Sequence, residues 1–267
     1  MSSTLAGPLT DHCFTSVAHS GTPRGKSITI AGVPTYLSTP QAPAASGVGT
    51  VILYFSDVFG PFYINAQLVQ DYYASQVGID YFFGDPVHLH LNKPDFDRPT
   101  WRTKSVEQAR ASVPKWVDGV KEMFGMILFS IRVMPKLYAA IIGTNVNYCA
   151  VGFCFGAPYV FQVAATDMLS CAAVAHPTSL TEELLRASKV PLLFSCAETD
   201  SAFPASFRRQ VEDILVEKKA TYYFQIFSGV SHGFGTRGDP EVETERWAKE
   251  ECQRAMVGWF KRFTSGK

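Results

Sequence analysis

The sequence predicts an α/β fold, with a mostly parallel sheet and helices on both of its faces. Apolar runs of strand length recur along the chain, and stretches with helical spacing separate them. The 267 residues are 46% hydrophobic, which is enough for one sizeable core, and no repeat or linker divides them. We therefore expect a single domain over residues 1–267, with functional groups at the carboxyl ends of its strands.

Each predicted element has its own signal. The run Thr50 to Phe55 is almost wholly apolar, as in a strand buried on both faces, and helical spacing follows it. The same alternation then continues to a long closing helix. Strands are expected at 50–55, 148–151, 172–175, 191–195 and 221–227, and helices at 65–76, 106–124, 157–169, 180–187, 206–219 and 241–263.

Charge and targeting signals narrow the function classes. The 24 basic residues are matched by 24 acidic ones without a basic cluster, so nucleic acid is not an expected partner. The N-terminus lacks the features of a secretory signal, so a cytoplasmic protein is expected. Arg132 and Lys136 interrupt the most apolar stretch, which argues against a membrane span. The six cysteines show no metal-site spacing and are expected to be free thiols, with no metal site.

A candidate nucleophile follows the strand that ends near Val151. The segment Gly152-Phe153-Cys154-Phe155-Gly156 has the glycine spacing of a nucleophile elbow, with cysteine in place of serine. Glycines are needed there because the turn packs tightly between strand and helix. The helix that begins after the turn favours a thiolate at its N-terminus. Cys154 is therefore the expected nucleophile.

The base and its acid partner should follow later strands, in the order nucleophile, acid, histidine. His232 lies in a glycine-rich loop after the 221–227 strand and is the expected base. Asp200 follows the 191–195 strand and is the natural partner of His232, with Glu198 as a competing acid that chain order alone does not exclude. For His176, at another strand end, a structural hydrogen-bonding role is favoured over catalysis.

The loop after the first strong strand should complete the site. In this architecture an oxyanion hole uses the amide of the residue after the nucleophile and an amide of an early loop. Phe155 and Val58 hold these positions, and Asp57 would then point at the site or remain a solvated loop carboxylate.

Taken together, these motifs resemble the dienelactone hydrolase family over almost the whole chain. The resemblance is carried by the elbow, Ser56 to Gly60, Phe82 to Pro86, Ala175 to Pro177, Glu198 to Asp200 and Gly229 to Phe234. It is closest to the fungal branch, which begins with a segment like Cys13-Phe14 and His19 to Pro23. It implies an α/β-hydrolase fold, a triad of Cys154, Asp200 and His232, and hydrolysis of lactones or activated esters without a cofactor. Asp57 stands where bacterial members carry a glutamate that holds the resting cysteine neutral.

Two segments depart from the family pattern. The strand expected before Asp80 is reduced to Val77-Gly78-Ile79, and the stretch 125–144 is longer and more apolar than a connecting loop of about 2–6 residues. Either both are artefacts of the gene model, or the longer stretch packs against the sheet or forms part of a pocket wall.

The sequence says less about the substrate than about the catalytic residues. Asp57, Phe83 and Arg237 are the candidate substrate-binding residues, with Arg237 as a possible clamp for a carboxylate. The expected partner is a small lactone or ester, and the chain is expected to be a monomer or homodimer. Non-hydrolytic chemistry such as lactonisation, cyclisation or isomerisation, and non-catalytic binding, are the alternatives. A redox-sensing thiol is disfavoured because no cysteine has a recognisable spacing to Cys154.

Overall fold

A six-stranded parallel sheet forms the centre of the protein. The computed structural model describes residues 3–40, 48–77, 79–81, 95–133 and 145–265. Every pairing within this sheet is parallel, and its strand order is β4-β3-β5-β6-β7-β8. Its strands are β3 (Val48–Phe55), β4 (Ile79–Tyr81), β5 (Asn145–Phe153), β6 (Leu169–Ala175), β7 (Leu192–Thr199) and β8 (Tyr222–Ser231).

A small antiparallel hairpin precedes the sheet. Its strands, β1 (Lys26–Ile30) and β2 (Val33–Leu37), are joined by Ala31 and Gly32, which both have positive φ angles, of 50° and 79°. Two such residues match the twist of a hairpin. This hairpin was not predicted.

The six predicted helices are present in order with different bounds, and a seventh, the short helix Phe234–Arg237, was not predicted. A helix predicted at 106–124 begins earlier and runs on to Val133, and the helix after Cys154 ends five residues before its predicted end. No helix among the described residues is both long and apolar enough for a membrane span. The helices are α1 (Ile64–Gln76), α2 (Arg98–Val133), α3 (Ala157–Ala164), α4 (Glu182–Ala187), α5 (Ala205–Glu217), α6 (Phe234–Arg237) and α7 (Glu243–Thr264).

The two unusual segments are only partly described. The short strand before the Phe82 segment is β4, which pairs with β3 over three residues at the edge of the sheet. The apolar stretch 125–144 continues α2 as far as Val133. Residues 82–94, which include the predicted substrate-binding Phe83, and residues 134–144 lie outside the described part of the chain.

One continuous hydrophobic core joins the two ends of the described chain, from Leu5 to Phe260. The N-terminal segment runs over the carboxyl edge of the sheet, where the Leu5 amide donates to Leu180 O at 2.8 Å and the Gly7 amide to Ala202 O at 2.6 Å. It then forms a short 3-10 helix, Asp11–Phe14. The carboxyl edge, where chemistry is expected, is therefore covered by the beginning of the chain.

Candidate active site

Cys154 occupies a strained turn at the end of β5. Its φ angle is +50°, a left-handed conformation that non-glycine residues rarely adopt, and a 3-10 helix, Cys154–Gly156, leads directly into α3. A Cβ atom on Gly156 would lie 2.1 Å from Phe55 O, and one on Gly152 would lie 2.5 Å from Val160 Cγ2. The elbow geometry predicted from the glycine spacing is present.

His232 and Asp200 form a buried pair beside this turn. His232 Nδ1 lies 2.8 Å from Asp200 Oδ2, and both side chains are almost fully buried. Asp200 Oδ1 accepts the amides of Ala202 and Phe203, both at 2.9 Å, which fixes the carboxylate. The competing acid, Glu198, is exposed and accepts the Gly229 amide at 2.8 Å instead. The structure thus pairs His232 with Asp200.

A second cysteine, which the sequence did not indicate, lies between the base and the elbow. Cys13, in the 3-10 helix of the N-terminal segment, places its Sγ 3.3 Å from His232 Nε2. Cys13 Sγ, Cys154 Sγ and a ring nitrogen of His232 all lie within 4.8 Å of one another. Spacing along the chain gave no sign of this neighbour, because the contact depends on how the N-terminal segment folds back. The prediction that the site is not a redox sensor stays a prediction.

The pKa values of Cys13, Cys154 and His232 depend on one another. Hydrogen bonding from Cys154 lowers the pKa of the Cys13 thiol, against the opposing effect of burial, and His232 lowers it further. Burial, followed by the neighbouring Cys13, raises the pKa of Cys154 well above its ordinary value. Burial opposes a charge on His232, but the hydrogen bonds with Asp200 and Cys13 outweigh it and raise the pKa of His232 to about 9. At neutral pH the resting cluster therefore holds a Cys13 thiolate beside a His232 imidazolium. Cys154 keeps its proton, so the expectation that the helix N-terminus favours a thiolate there was wrong, because burial and the charge of Cys13 outweigh that effect.

Asp57 and Arg237 form a buried ion pair next to the cysteines. Arg237 Nη1 donates to Asp57 Oδ2, which also accepts Thr236 Oγ1 at 2.7 Å, while Asp57 Oδ1 accepts the Phe59 amide at 2.9 Å. The other two guanidinium nitrogens donate to Thr15 O at 3.0 Å and His12 O at 3.3 Å. A substrate carboxylate would have to compete with these partners, so the substrate-binding roles of Asp57 and Arg237 stay predictions.

The predicted oxyanion-hole segments lie side by side. β3 and β5 are neighbouring parallel strands with Phe55 opposite Gly152, so the loop that carries Val58 follows one strand and Phe155 follows the other. Val58 and Phe59 pack in a buried cluster with Cys13, Cys154 and Trp101. Aromatic rings border this cluster, among them Phe14, Tyr63, Phe96 and Phe155. The thiols therefore lie in an apolar, aromatic environment.

His176 packs against His232. Its ring centroid is 4.9 Å from that of His232, in an edge-on arrangement. Among the described residues neither ring nitrogen has a hydrogen-bond partner, so the expected structural hydrogen bond is not found. Burial lowers the pKa of His176 well below its ordinary value, which leaves a neutral ring packed on His232.

The chain is similar to several known proteins. Residues 106–264 match the model of the dienelactone hydrolase family. Dienlactone hydrolase 1 of Gibberella moniliformis is 33% identical, over 96% of this chain and 94% of its own. Hydrolase tropI of Talaromyces stipitatus is also 33% identical, over 97% of this chain and 98% of its own. A crystal structure of a Klebsiella pneumoniae protein assigned as a dienelactone hydrolase shares the fold, with a TM-score of 0.64 at 17% identity, over 90% of this chain and 98% of that one.

Proposed function

The chain belongs to the dienelactone hydrolase family and is a hydrolase acting on ester bonds, and we propose that it cleaves lactones or small activated esters with Cys154 as nucleophile. The observation that carries the proposal is the convergence of an elbow cysteine with a buried histidine and aspartate pair. Nucleophile, base and orienting acid follow β5, β8 and β7 respectively, so one edge of the sheet presents all three.

The proposed reaction begins when the Cys154 thiol transfers its proton to the neighbouring Cys13 thiolate. Cys154 Sγ attacks the ester carbonyl carbon and the carbonyl oxygen takes the negative charge, which the amides of Phe155 and Val58 would stabilise. The C–O bond then breaks, and the leaving alkoxide takes the proton of the His232 imidazolium. Water next attacks the thioester with His232 as base, the acid product leaves Cys154 as thiolate, and Cys154 then takes its proton back from Cys13.

Asp200 and Cys13 set the state of the base in this scheme. Asp200 holds Nδ1, so Nε2 is the nitrogen that exchanges protons with substrate and water. Cys13 Sγ occupies the hydrogen-bonding position at Nε2 in the resting site. We infer that the leaving group replaces Cys13 at this nitrogen during turnover.

The surroundings of the thiols support an unsaturated or aromatic acyl group as substrate. Trp101 and Phe59 are buried in the same cluster as Cys154, and flat rings pack well against such groups. A cavity of about 330 Å³ opens beside His232 and Arg237. Phe83 as a substrate contact lies outside the described residues and stays a prediction.

We also propose that the whole chain forms one domain. We treat residues 1–267 as one domain, because the hydrophobic core includes both Leu5 and Phe260. A monomeric or homodimeric, cytoplasmic enzyme stays our prediction. Light scattering on the purified chain would measure the oligomeric state.

A hydrolysis screen tests the function. Purified protein would be assayed on lactones and p-nitrophenyl esters, with mass spectrometry to detect the addition of water. We expect turnover that Cys154→Ala reduces by at least about 10³-fold. Cys252→Ala, which removes another buried thiol on α7, is the matched control and should retain kcat. Turnover undiminished in Cys154→Ala, or a product isomeric with the substrate, would contradict the proposal.

A further inference from the structure

Three potential metal ligands from distant parts of the chain meet in one buried cluster. Cys13, Cys154 and His232 each offer one ligand atom, and these atoms lie within 4.8 Å of one another. All three residues are buried, and Cys13 Sγ to His232 Nε2 measures 3.3 Å. Together they form a cluster with two sulfur atoms and one nitrogen.

The donor set matches a soft tetrahedral cation. Zn²⁺ takes thiolate sulfur at about 2.3 Å and imidazole nitrogen at about 2.0–2.1 Å, which places adjacent sulfur and nitrogen ligands about 3.6 Å apart in a tetrahedron. The observed 3.3 Å between Cys13 Sγ and His232 Nε2 is within a few tenths of an ångström of this spacing. Cys154 Sγ lies within 4.8 Å of both atoms, so a movement of about 1 Å at most brings it to the spacing of a tetrahedral site.

The histidine already has the outer partner that metal-binding histidines use. Asp200 Oδ2 holds His232 Nδ1 at 2.8 Å, which leaves Nε2 to face Cys13. A carboxylate at the far nitrogen fixes the ring orientation and increases the basicity of the ligand. The amides of Ala202 and Phe203 hold that carboxylate in turn.

Both sulfur atoms are positioned by ordered backbone. Cys154 is fixed in the elbow, and the Thr10 amide donates to Cys13 Sγ at 3.4 Å. Arg237 holds the segment on either side of Cys13, through His12 O at 3.3 Å and Thr15 O at 3.0 Å. The charge of Arg237 is balanced by Asp57, so two thiolates remain to neutralise a divalent cation.

We propose that Cys13, Cys154 and His232 form a binding site for a soft tetrahedral cation of the Zn²⁺ type, with the fourth position open to water or a small anion. Coordination displaces two protons to solvent, one from the Cys154 thiol and one from His232 Nε2, and uses the lone pairs of both sulfur atoms and of Nε2. One consequence rests on the proposed function: a bound metal ion inhibits the hydrolase, because the same lone pairs serve the nucleophile and the base.

Cobalt substitution tests the site directly. Protein freed of metal under reducing conditions would be titrated with Co²⁺, and the complex then displaced with Zn²⁺. We expect one ion per chain, near-ultraviolet thiolate-to-cobalt charge transfer and visible bands of a tetrahedral centre. Asp200→Asn, which removes the carboxylate that orients His232, should weaken cobalt binding by about 10–100-fold. Cys13→Ala removes a ligand itself and should weaken cobalt binding by more than that. Cys252→Ala is the control and should bind as the unmodified protein does.

The possible results distinguish a failure of the metal site from a failure of the proposed hydrolysis. Absence of a stoichiometric cobalt spectrum, or equal affinity in Cys13→Ala and the unmodified protein, would overturn the site even if the metal-free protein hydrolyses esters. Stoichiometric binding that depends on Cys13 would support the site, and would do so even if no ester were hydrolysed. With an active enzyme, Zn²⁺ should inhibit turnover, and the inhibitory concentration should rise in Cys13→Ala.

Discussion

Replacing Gly156 by Ala should damage stability and catalysis together, because the elbow leaves no room for a methyl group. The added Cβ would lie 2.1 Å from Phe55 O, 2.5 Å from Phe55 C and 2.7 Å from Ser56 O. These are backbone atoms of β3 and the loop after it, so no side-chain rotation relieves the clash. Restoring ordinary contact requires the end of β3 and the elbow to separate by more than about 1 Å. Overpacking of this kind costs about 1–3 kcal/mol or more.

The same separation should impair the proposed oxyanion hole. Its two amides, from Val58 and Phe155, belong to the two segments that the new methyl group pushes apart. A displacement of about 1 Å at a reacting centre can cost about 10²-fold in rate. We therefore expect a loss of one to several kcal/mol in urea unfolding and a fall of roughly 10²-fold in kcat on an activated ester.

Gly258→Ala is the matched control for this experiment. Gly258 is exposed within α7, and apart from its two chain neighbours and the adjacent backbone of α7, no atom of the described residues lies within 4 Å of the position that its new Cβ would take. The substitution should stabilise the protein by about 0.5–1 kcal/mol through helix propensity and leave kcat unchanged. A Gly156→Ala protein with unaltered stability and kcat would refute the packing argument.

Three further predictions concern the buried charged groups. Asp57→Asn removes the counter-charge of buried Arg237 and should lower the free energy of unfolding by about 3–5 kcal/mol in urea titrations; a loss under about 1 kcal/mol would contradict the pairing. The His232 ring should stay protonated as pH rises past the ordinary value near 6.5 and lose its proton only around pH 9; nitrogen NMR of the ring would show this, and titration at or below pH 6.5 would contradict it. Asp200→Asn should lower kcat by about 10⁴-fold, whereas Glu198→Gln, its exposed neighbour, should leave kcat within about two-fold; equal losses in the two variants would contradict the assignment of the acid.

Local sequence signals predicted the five strands β3 and β5 to β8, and they pointed to three residues, Cys154, Asp200 and His232, that the structure brings together. The apolar strands β3, β5, β6 and β7 are buried on both faces, so their sequences carry a strong, continuous hydrophobic signal. The glycines beside Cys154 are required by contacts within a few residues of the turn and with the neighbouring strand, and their spacing shows this. Chain order narrowed the acid to two residues, and burial then distinguished Asp200 from Glu198.

Other features were missed although a signal existed. The Ala31-Gly32 pair between Ile30 and Val33 is a two-residue connection of hairpin length, and it could have predicted β1 and β2. Pro99 suits the first turn of a helix, and could have moved the predicted start of α2 upstream.

The position of Cys13 had no local signal. Its contact with His232 depends on the path of the N-terminal segment across the sheet edge, and that path is set by distant hydrogen bonds such as Leu5 to Leu180. The Asp57 and Arg237 pair is likewise a contact between the loop after β3 and the helix α6. Neither pairing has a period or spacing that a single sequence could reveal.

The most direct test of the central claim is to identify the residue that carries the acyl group during turnover. Protein would be mixed with an activated ester, quenched in acid within the first turnover, and analysed by intact mass and peptide mapping. A mass increase equal to the acyl group, located on Cys154 and absent from Cys154→Ala, is the predicted result. An acyl group on Cys13, or turnover without any acylated peptide, would contradict the account.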